Sequence, residues 1–455
     1  MVRRFCGAIG LAGLVVSAWG QSVVTWSSNS DQRWSRSANW SGGNRPDTSG
    51  EIAQFGTGNQ LNPELNSNSY TVRGIRFGAG ADSYTVADDN GARLLRIGNG
   101  SSGFIENLSS QAQAIAIATL QFQSDATLST AGGGQLAISS NLTGSNRDLT
   151  FAATGDITVT GNIATGTGTL TKDGSGNLNL SGSNTYTGTT NIDAGAIILQ
   201  GSDVFADTNR VDIATGASLR LNGYDDAIGR LTGSGSVDFG GDGRLTLASG
   251  ISYFAGAFNG SGELVVGAGA TLILGADFIN RDLQLTLDGG NLWLAGHEFT
   301  LGDLEVTDDS MIDFGWGGFD STLDVLSLGF AASDLGLTVA SWSDAADFFY
   351  SQAAYTQAQA PLNQVEFQGW DTGDTKWQPY DRQITPVPEP ATYGAVLLAV
   401  LLGIGWHRRR SAGRGEASAR SHSPDRSLGS IERLRTIGPC QRGPYQPGGS
   451  ETFAR

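Results

Sequence analysis

Short alternations of apolar and polar residues recur along most of the chain. Examples with the two-residue period of strands that bury one face are Leu178-Asn179-Leu180, Leu245-Thr246-Leu247, Leu264-Val265-Val266 and Thr271-Leu272-Ile273-Leu274. Glycine accounts for 66 of 455 residues, about twice its usual ~7% share, without a collagen-like period. Sustained helical periodicity is almost absent. Since Ser, Thr, Asn and Asp fill the intervals, the pattern predicts an all-β fold of brief strands joined by tight turns.

Glycine and apolar positions also repeat at a fixed offset. Those between 166 and 186 recur 67 residues later as a second set. The first set is Gly166, Gly168, Leu170, Gly174, Gly176, Leu178, Leu180 and Tyr186, and the second is Gly233, Gly235, Val237, Gly241, Gly243, Leu245, Leu247 and Tyr253. Shorter units begin at Gly132 and Gly260. Because stacked coils satisfy the hydrogen bonds of each strand above and below, we predict a right-handed parallel β-helix or a close solenoid relative over 111–328.

Both ends of this solenoid are expected to carry caps. Region 21–110 contains Trp26, Trp34 and Trp40, which suit a cap over an open apolar column, and this interpretation is favoured over the alternative that they stack on sugar rings. Region 329–386 is the predicted C-terminal cap. It includes one short helix within 341–359, with Ser343 as N-cap and with Asp344 and Asp347 in the first turn.

Two further tryptophans, Trp293 and Trp316, are expected to cover the core rather than to bind a ligand.

The N-terminus has the pattern of an export signal. Arg3 and Arg4 precede an apolar stretch over 5–16, and the small residues Ala18 and Gly20 predict cleavage after Gly20 by the Sec route. The two cysteines, Cys6 and Cys440, lie in the presumed signal and in the tail. The exported body therefore has no thiol for a disulfide, a metal or a nucleophile.

The C-terminal part carries a second targeting pattern. Val387-Pro388-Glu389-Pro390 is followed by an uncharged run over 391–406 and by Arg408, Arg409 and Arg410. A helix of about 16 residues would reach ~24 Å, so it could span a thin bilayer, with the arginines on the cytoplasmic side. Residues 411–455 are polar and rich in Arg, Ser, Gly and Pro, so a disordered tail is predicted.

These C-terminal residues, from Val387 to Arg410, closely resemble a PEP-CTERM sorting signal. The resemblance implies that an exosortase-type membrane peptidase reads the Pro-Glu-Pro element, while the apolar segment and the arginines hold the chain for processing. That pattern normally ends soon after the basic cluster, whereas this chain continues to Arg455.

A second resemblance lies in the segment 168–199. Its parts are Gly174-x-Gly176-x-Leu178-x-Leu180, Asn184-Thr185-Tyr186-Thr187-Gly188 and Ala194-Gly195-Ala196 leading into Ile197-Ile198-Leu199. They resemble the autotransporter-associated β-strand repeat found in passenger regions of large secreted bacterial proteins. No C-terminal region long enough for a translocating barrel follows, so self-translocation is not expected.

Catalytic patterns are sparse. His297 is the ectodomain's one histidine, and no Gly-x-Ser-x-Gly elbow is present. The acidic pairs Asp88-Asp89, Asp225-Asp226 and Asp308-Asp309 are the candidates for a β-helix polysaccharide lyase or glycosidase. Adjacent strand residues point to opposite faces, so a turn role is favoured and no enzymatic activity is expected.

A glycine-rich calcium motif begins at Gly240 but has Leu245 where a ligand aspartate is needed. We expect no metal site and no cofactor.

The charge of the chain limits the classes of partner that it is expected to bind. The formal charge is −16, and ten arginines against four acidic residues lie from Arg408 onward. Without that part and without Arg3 and Arg4 the charge becomes −24, a balance that repels nucleic acid and anionic lipid. The sequence therefore predicts a non-enzymatic structural or adhesive protein of the cell envelope. It is held by a C-terminal membrane helix before processing and lies at the surface or among exopolysaccharide afterwards.

Overall fold

The computed structural model describes residues 22–386 except 29–30, 68, 99, 316–319, 345, 356–361 and 371–374. Within these residues the regular structure is β, apart from three short 3-10 helices at Ser37–Asn39, Ser41–Gly43 and Leu362–Gln364. The strands form parallel ladders except near the C-terminal end, where the last two pairings are antiparallel. The predicted all-β solenoid is confirmed, and its handedness stays a prediction.

One face is a parallel sheet of sixteen strands, which we call the long sheet. Its strands are, in chain order, Ser22–Thr25, Glu51–Phe55, Gly74–Phe77, Gly103–Asn107, Ala126–Thr130, Leu149–Ala153, Leu170–Asp173, Thr190–Ile192, Arg210–Ile213, Arg230–Gly233, Gly250–Phe254, Ala270–Leu274, Asn291–Trp293, Ser310–Asp313, Leu337–Ala340 and Val365–Phe367.

The second face follows the long sheet in each coil. Ten parallel strands form its first part: Glu64–Leu65, Thr85–Asp88, Gln113–Ala116, Leu136–Ile138, Ile157–Val159, Asn177–Leu180, Ala196–Leu199, Ser218–Arg220, Ser236–Asp238 and Ala257–Asn259. A separate sheet takes the same place in the later coils, with strands Phe278–Asn280, Glu298–Leu301, Thr322–Val325, Phe348–Ser351, Thr375–Gln378 and Gln383–Pro386.

The third face consists of two sheets with a gap between them. The first contains Ser69–Val72, Leu94–Ile97, Thr119–Phe122, Asn141–Gly144 and Ile163–Ala164. The second contains Asp225–Ile228, Arg244–Leu247, Gly262–Gly267, Leu283–Asp288, Asp303–Asp308 and Ser327–Phe330. Between Ala164 and Asp225 the third face has no strand, although the other two faces continue.

The interior is a column of apolar side chains from the three faces. On the second face Leu178, Ile197, Leu219 and Val237 lie in register, and each is fully buried. This arrangement follows from the two-residue period, which sends alternate side chains inward on every strand.

The length of one coil shows that the 67-residue offset found in the sequence is not the structural repeat. Register partners along the long sheet, such as Leu149, Leu170, Thr190 and Val211, are 20 or 21 residues apart. An offset of 67 residues is longer than three such coils, and it moves a residue from one face to the next. Leu170 accordingly lies in the long sheet and Val237 in the second face, so the two copies are not structurally equivalent.

The short helix predicted within 341–359 is wrong for the residues described there. Phe348–Ser351 is a strand that pairs in parallel with Thr322–Val325. Asp347 is buried and accepts hydrogen bonds from the backbone N–H groups of Ser321 and Ser343, at 3.2 and 2.7 Å. A single turn at Ser343 thus leads into a strand, because an open sheet edge satisfies more backbone groups than an isolated helix turn.

The long sheet crosses the predicted cap boundaries at residues 110 and 328 without a break in its ladder. The division into caps and solenoid stays a prediction. Among the described residues no helix is long and apolar enough to cross a bilayer. The predicted span at 391–406 lies outside them.

Candidate functional site

Trp26, Trp34 and Trp40 form one buried cluster at the N-terminal end of the solenoid. Their exposed fractions are 1%, 0% and 2%. Trp40 packs edge-on against Trp26 and Trp34, with ring centroids 4.9 and 4.7 Å apart, and all three approach Phe55. Their indole N–H groups donate to the backbone oxygens of Gln60, Pro46 and Trp34.

No face of these rings is accessible to a sugar, so the glycan-stacking alternative is wrong for these three tryptophans. The cluster covers the end of the apolar interior, which is the arrangement expected of a cap.

The acidic pairs support turns and do not converge on a reaction site. Asp88 accepts from the N–H groups of Gly91, Arg93 and Ala118, while Asp89 forms an ion pair with Arg93 at 2.8 Å. These carboxylates hold the connection to the third face.

In each of the other two acidic pairs, the two carboxylates also have separate roles. Asp308 accepts from the N–H of Asp309, and Asp309 accepts from the N–H of Gly336, both at 2.8 Å. Asp225 is exposed, whereas Asp226 points inward and is buried. The strand alternation separates the two members of this pair, as expected.

His297 forms a surface pair. Its Nδ1 lies 3.1 Å from Oδ1 of Asp277, which also accepts from the N–H of Glu298. The Glu298 N–H, followed by the imidazole, lowers the pKa of Asp277. No hydroxyl nucleophile contacts the imidazole among its described hydrogen bonds, so a Ser-His-Asp arrangement is not formed there.

Asn184 begins a side-chain ladder in the gap of the third face. Its Oδ1 accepts from the N–H of Ile163 at 2.8 Å, and its N–H and Nδ2 both donate to the carbonyl of Val204, at 3.1 and 2.8 Å. A buried amide therefore replaces the strand pairing that the neighbouring coils use.

Asp226 completes the same ladder. Its carboxylate accepts from the N–H groups of Val204 and Phe205, at 2.8 and 3.2 Å. Burial raises the pKa of Asp226 to about 7, against the lowering effect of the N–H groups of Val204, Phe205 and Ala227. The carboxyl is thus poised between its two protonation states near neutral pH.

A second buried network starts at Tyr186. The Tyr186 hydroxyl lies 2.6 Å from Oγ1 of Thr190, which donates to Oδ1 of Asn209 at 2.8 Å. Asn209 Nδ2 in turn donates to the carbonyl of Gly188 at 2.8 Å. The Asn184–Gly188 motif therefore builds the wall of the solenoid where no strand is present.

Lys172 is a buried cation that sequence reasoning missed. Its Nζ donates to the carbonyls of Asp173, Gly174 and Ala194, at 3.0, 2.7 and 3.0 Å. Burial lowers the pKa of Lys172 to about 8. The side chain ties together the turns of two successive coils, and its inward position in an alternating strand was the signal available in the sequence.

The calcium-like segment has no ligand geometry. Leu245 is fully buried in the interior, and Asp242 is exposed. The part of the chain that the structure describes contains no group of three His, Cys, Asp or Glu side chains able to hold a metal ion.

The outer surface of the long sheet carries the apolar residues that the sequence interpretation missed. Ile251 and Tyr253 are 60% and 54% exposed, and Ile273 and Trp293 follow Tyr253 in register on the next two strands. The 67-residue offset aligns Tyr253 with Tyr186, but Tyr186 is buried. Trp293 also lies on this outer surface and not over the interior column.

A polar groove of about 590 Å³ lies beside these apolar residues. Its floor is formed by the outward side chains of Asn291, Met311, Thr338 and Glu366, which are in register on successive strands. The loop 333–336 forms its wall.

Several predicted sites lie outside the described residues. These are the cleavage residues Ala18 and Gly20, the Val387-Pro388-Glu389-Pro390 motif, the basic residues Arg408, Arg409 and Arg410, and Trp316. Their roles stay predictions.

Residues 170–199 match the family model of the passenger-associated-transport-repeat. This match covers the strands at Leu170–Asp173, Asn177–Leu180, Thr190–Ile192 and Ala196–Leu199, together with the ladder residue Asn184. The predicted resemblance of the segment 168–199 to a passenger-type repeat is thereby confirmed.

Two curated proteins are similar to parts of the chain. The Adhesin BmaC autotransporter of Brucella suis biovar 1 (strain 1330) is 34% identical over 193 residues, covering 38% of this chain and 6% of that protein. The uncharacterized protein YuaQ of Escherichia coli (strain K12) is 37% identical over 83 residues, covering 18% of this chain and 6% of that protein. No solved structure matches. The chain is a β-solenoid repeat protein that resembles the passenger regions of autotransporter adhesins.

Proposed function

We propose that this protein is an exported, non-enzymatic β-solenoid that serves a structural or adhesive role at the bacterial surface or in the extracellular matrix. The observation that carries this proposal is the passenger-type repeat at 170–199 within a continuous parallel solenoid. The similarity to an adhesin autotransporter over 193 residues supports the same class.

The chemistry of the described residues fits this role. The acidic pairs and His297 hold turns or surface contacts, and the buried polar groups of the third face complete hydrogen-bond ladders. Each of these groups therefore has a structural contact, as expected of a non-enzymatic solenoid.

Export and sorting form the second part of the proposal. Sec export with cleavage after Gly20 would release the solenoid across the inner membrane. The Pro388-Glu389-Pro390 element, the apolar segment 391–406 and the arginines from Arg408 would then present the chain to an exosortase-type peptidase. The negative charge of the body suits a hydrated exopolysaccharide layer and disfavours nucleic acid as a partner.

Mass spectrometry of the mature protein from native cells tests the sorting step. We expect an N-terminus at Gln21 and a C-terminus close to Pro390, with Pro388→Ala together with Pro390→Ala causing retention of the unprocessed chain in the membrane. A mature protein that still contains Arg408 to Arg455 would contradict exosortase-type processing.

Surface labelling tests the location independently. Intact cells are incubated with an antibody raised against the purified protein, which cannot cross the membranes and therefore labels only surface copies, and an antibody against a cytoplasmic protein is the control. Absence of label from this protein would refute the surface role itself.

A further inference from the structure

The outer surface of the long sheet between Gly250 and Phe367 combines an exposed tyrosine ring and a half-buried tryptophan ring with a polar groove. We propose that this surface binds a neutral glycan chain, with Tyr253 and Trp293 stacking on sugar rings and the groove binding sugar hydroxyls. The inference deepens the proposed adhesive or matrix role, on which its biological meaning rests, by naming the class of ligand.

The two rings are placed by the strand register. Tyr253 pairs with Ile273, and Ile273 pairs with Trp293, so the three side chains lie side by side on the outer surface. Two strand spacings of about 4.8 Å put the aromatic residues about 10 Å apart. A line of apolar surface at this spacing suits a polymer of pyranose rings better than a single small molecule.

Gly275 fixes the position of the Tyr253 ring. A Cβ at Gly275 would lie 2.8 Å from both Cζ and the hydroxyl oxygen of Tyr253. The phenol ring therefore lies against glycine backbone, and it remains 54% exposed. Trp293 lies in the same way against Gly315, whose Cβ would be 3.4 Å from the indole Nε1. The rings are held before a ligand arrives, which reduces the entropy lost on binding.

The groove continues directly from the aromatic residues. Asn291 precedes Trp293 by two residues on one strand, so both side chains point to the outer surface. Asn291 lines the groove together with Thr338 and Glu366, whose side chains offer hydrogen-bond donors and acceptors.

Two hydrogen-bond sets fix the wall of this groove. Asp309 accepts from the N–H of Gly336 at 2.8 Å. Gln364 Nε2 donates to the carbonyls of Ala332 and Leu335, at 2.7 and 2.9 Å. The loop is therefore tied to the strands on both sides of it, and the groove is preformed.

The charge of the groove selects the ligand. Its described lining residues include the carboxylates Asp309, Asp334 and Glu366, and none of these lining residues is Lys, Arg or His. An anionic polysaccharide would be repelled there, whereas hydroxyl groups of a neutral glycan can donate to carboxylates. A second copy of the chain is disfavoured as the occupant because each copy has a formal charge of −16.

Binding of defined hexasaccharides to the purified full-length protein tests the inference by calorimetry. The neutral probes are the hexamers of β-1,4-glucose, β-1,3-glucose and β-1,4-mannose, and the anionic probes are hexamers of alginate and polygalacturonate. We expect at least one neutral hexamer to bind and neither anionic hexamer to bind. Tyr253→Ala and Trp293→Ala should each weaken that binding about 2- to 10-fold, the range set by the loss of one stacked ring.

Two further variants test whether the loss of glycan binding comes from the aromatic rings or from a general effect of substitution. Gly275→Ala leaves both rings and the groove chemically intact but displaces the Tyr253 ring, so it should also weaken binding. Tyr224→Ala removes a tyrosine that is 37% exposed and lies just before the second sheet of the third face, and it should leave binding unchanged.

The proposal is overturned if no neutral hexamer binds, if an anionic hexamer binds more tightly, or if Tyr253→Ala and Trp293→Ala bind like Tyr224→Ala. Self-association of the protein that Tyr253→Ala abolishes would assign the surface to a second copy and would also overturn it. Surface labelling of intact cells is independent of these measurements. A labelled protein without glycan binding refutes this inference alone, and glycan binding by an unlabelled protein refutes the surface role.

Discussion

Asp226 gives the solenoid a predicted pH dependence. It is 3% exposed and accepts from the N–H groups of Val204 and Phe205 in the strand-free part of the third face. Burial disfavours the charged carboxylate and raises its pKa from 3.8 to about 7. Since the folded state holds this proton more tightly than the unfolded chain, the contribution of Asp226 to stability is fully present below about pH 4 and is lost as pH rises through about 7.

The magnitude follows from the difference between the folded and unfolded pKa. A change from 3.8 to about 7 corresponds to about 4 kcal/mol, because each pKa unit is worth about 1.4 kcal/mol. Other carboxylates also titrate between pH 4 and 8, so the useful quantity is the difference between the wild-type protein and Asp226→Asn. That difference should move by about 4 kcal/mol in favour of the variant as pH rises from 4 to 8.

Urea unfolding at four pH values between 4 and 8 measures this difference. Coils of a solenoid unfold partly independently, so hydrogen exchange at the amides of Val204 and Phe205, corrected for its intrinsic pH dependence, provides a local measurement. Asp225→Asn is the matched control, because its side chain is exposed on the same strand, and its pH profile should follow that of the wild type. A wild-type protein that gains stability relative to Asp226→Asn between pH 4 and 7 would refute the reasoning.

Three other substitutions test individual parts of the fold. Asn184→Ala leaves the buried N–H of Ile163 without its partner and removes one of the two hydrogen bonds to the carbonyl of Val204, so it should cost about 1–3 kcal/mol in urea unfolding. Asn179→Ala, on the outer side of a strand, should cost less than about 1 kcal/mol. Trp34→Ala removes a fully buried ring from the N-terminal cluster and should cost about 3–5 kcal/mol; unchanged stability would contradict its capping role. Gly174→Ala should lower the melting temperature by at least about 4 °C, because φ is +78° and a Cβ would lie 2.3 Å from the carbonyl of Ala153; a wild-type melting curve would show that this close approach is not required.

The fold class was predictable because it depends on local patterns. Alternations such as Leu178-Asn179-Leu180 place one apolar side chain inward per two residues, whatever the neighbouring coil contains. The repeat length was not predictable in the same way. Glycine-spaced units resemble one another on all three faces, so an offset of 67 residues produced sequence matches between Leu170 and Val237, which lie on different faces.

The candidate sites were less predictable than the fold class, because a site depends on what each side chain contacts in the folded protein. The three N-terminal tryptophans share a composition typical of both caps and sugar-binding surfaces, and burial decides between them. No local sequence pattern marks Tyr253 as exposed, because its exposure depends on its strand lying in the long sheet. Lys172 and Asp226 have polar side chains at inward positions, a signal that a stricter use of the strand alternation would have detected.

The sequence by itself determined that the chain forms short strands with alternate residues buried, since backbone geometry and the hydrophobic effect act within a few residues. It also determined the passenger-type repeat at 170–199, whose glycines and Asn184–Gly188 motif are readable directly. Only the tertiary structure decided which strands stack, that side chains of Asn184 and Asp226 replace strands in the third face, and that Tyr253 and Trp293 share one outer surface. Those features depend on register between residues about 20 positions apart, which is set by the packing of whole coils and not by local preference.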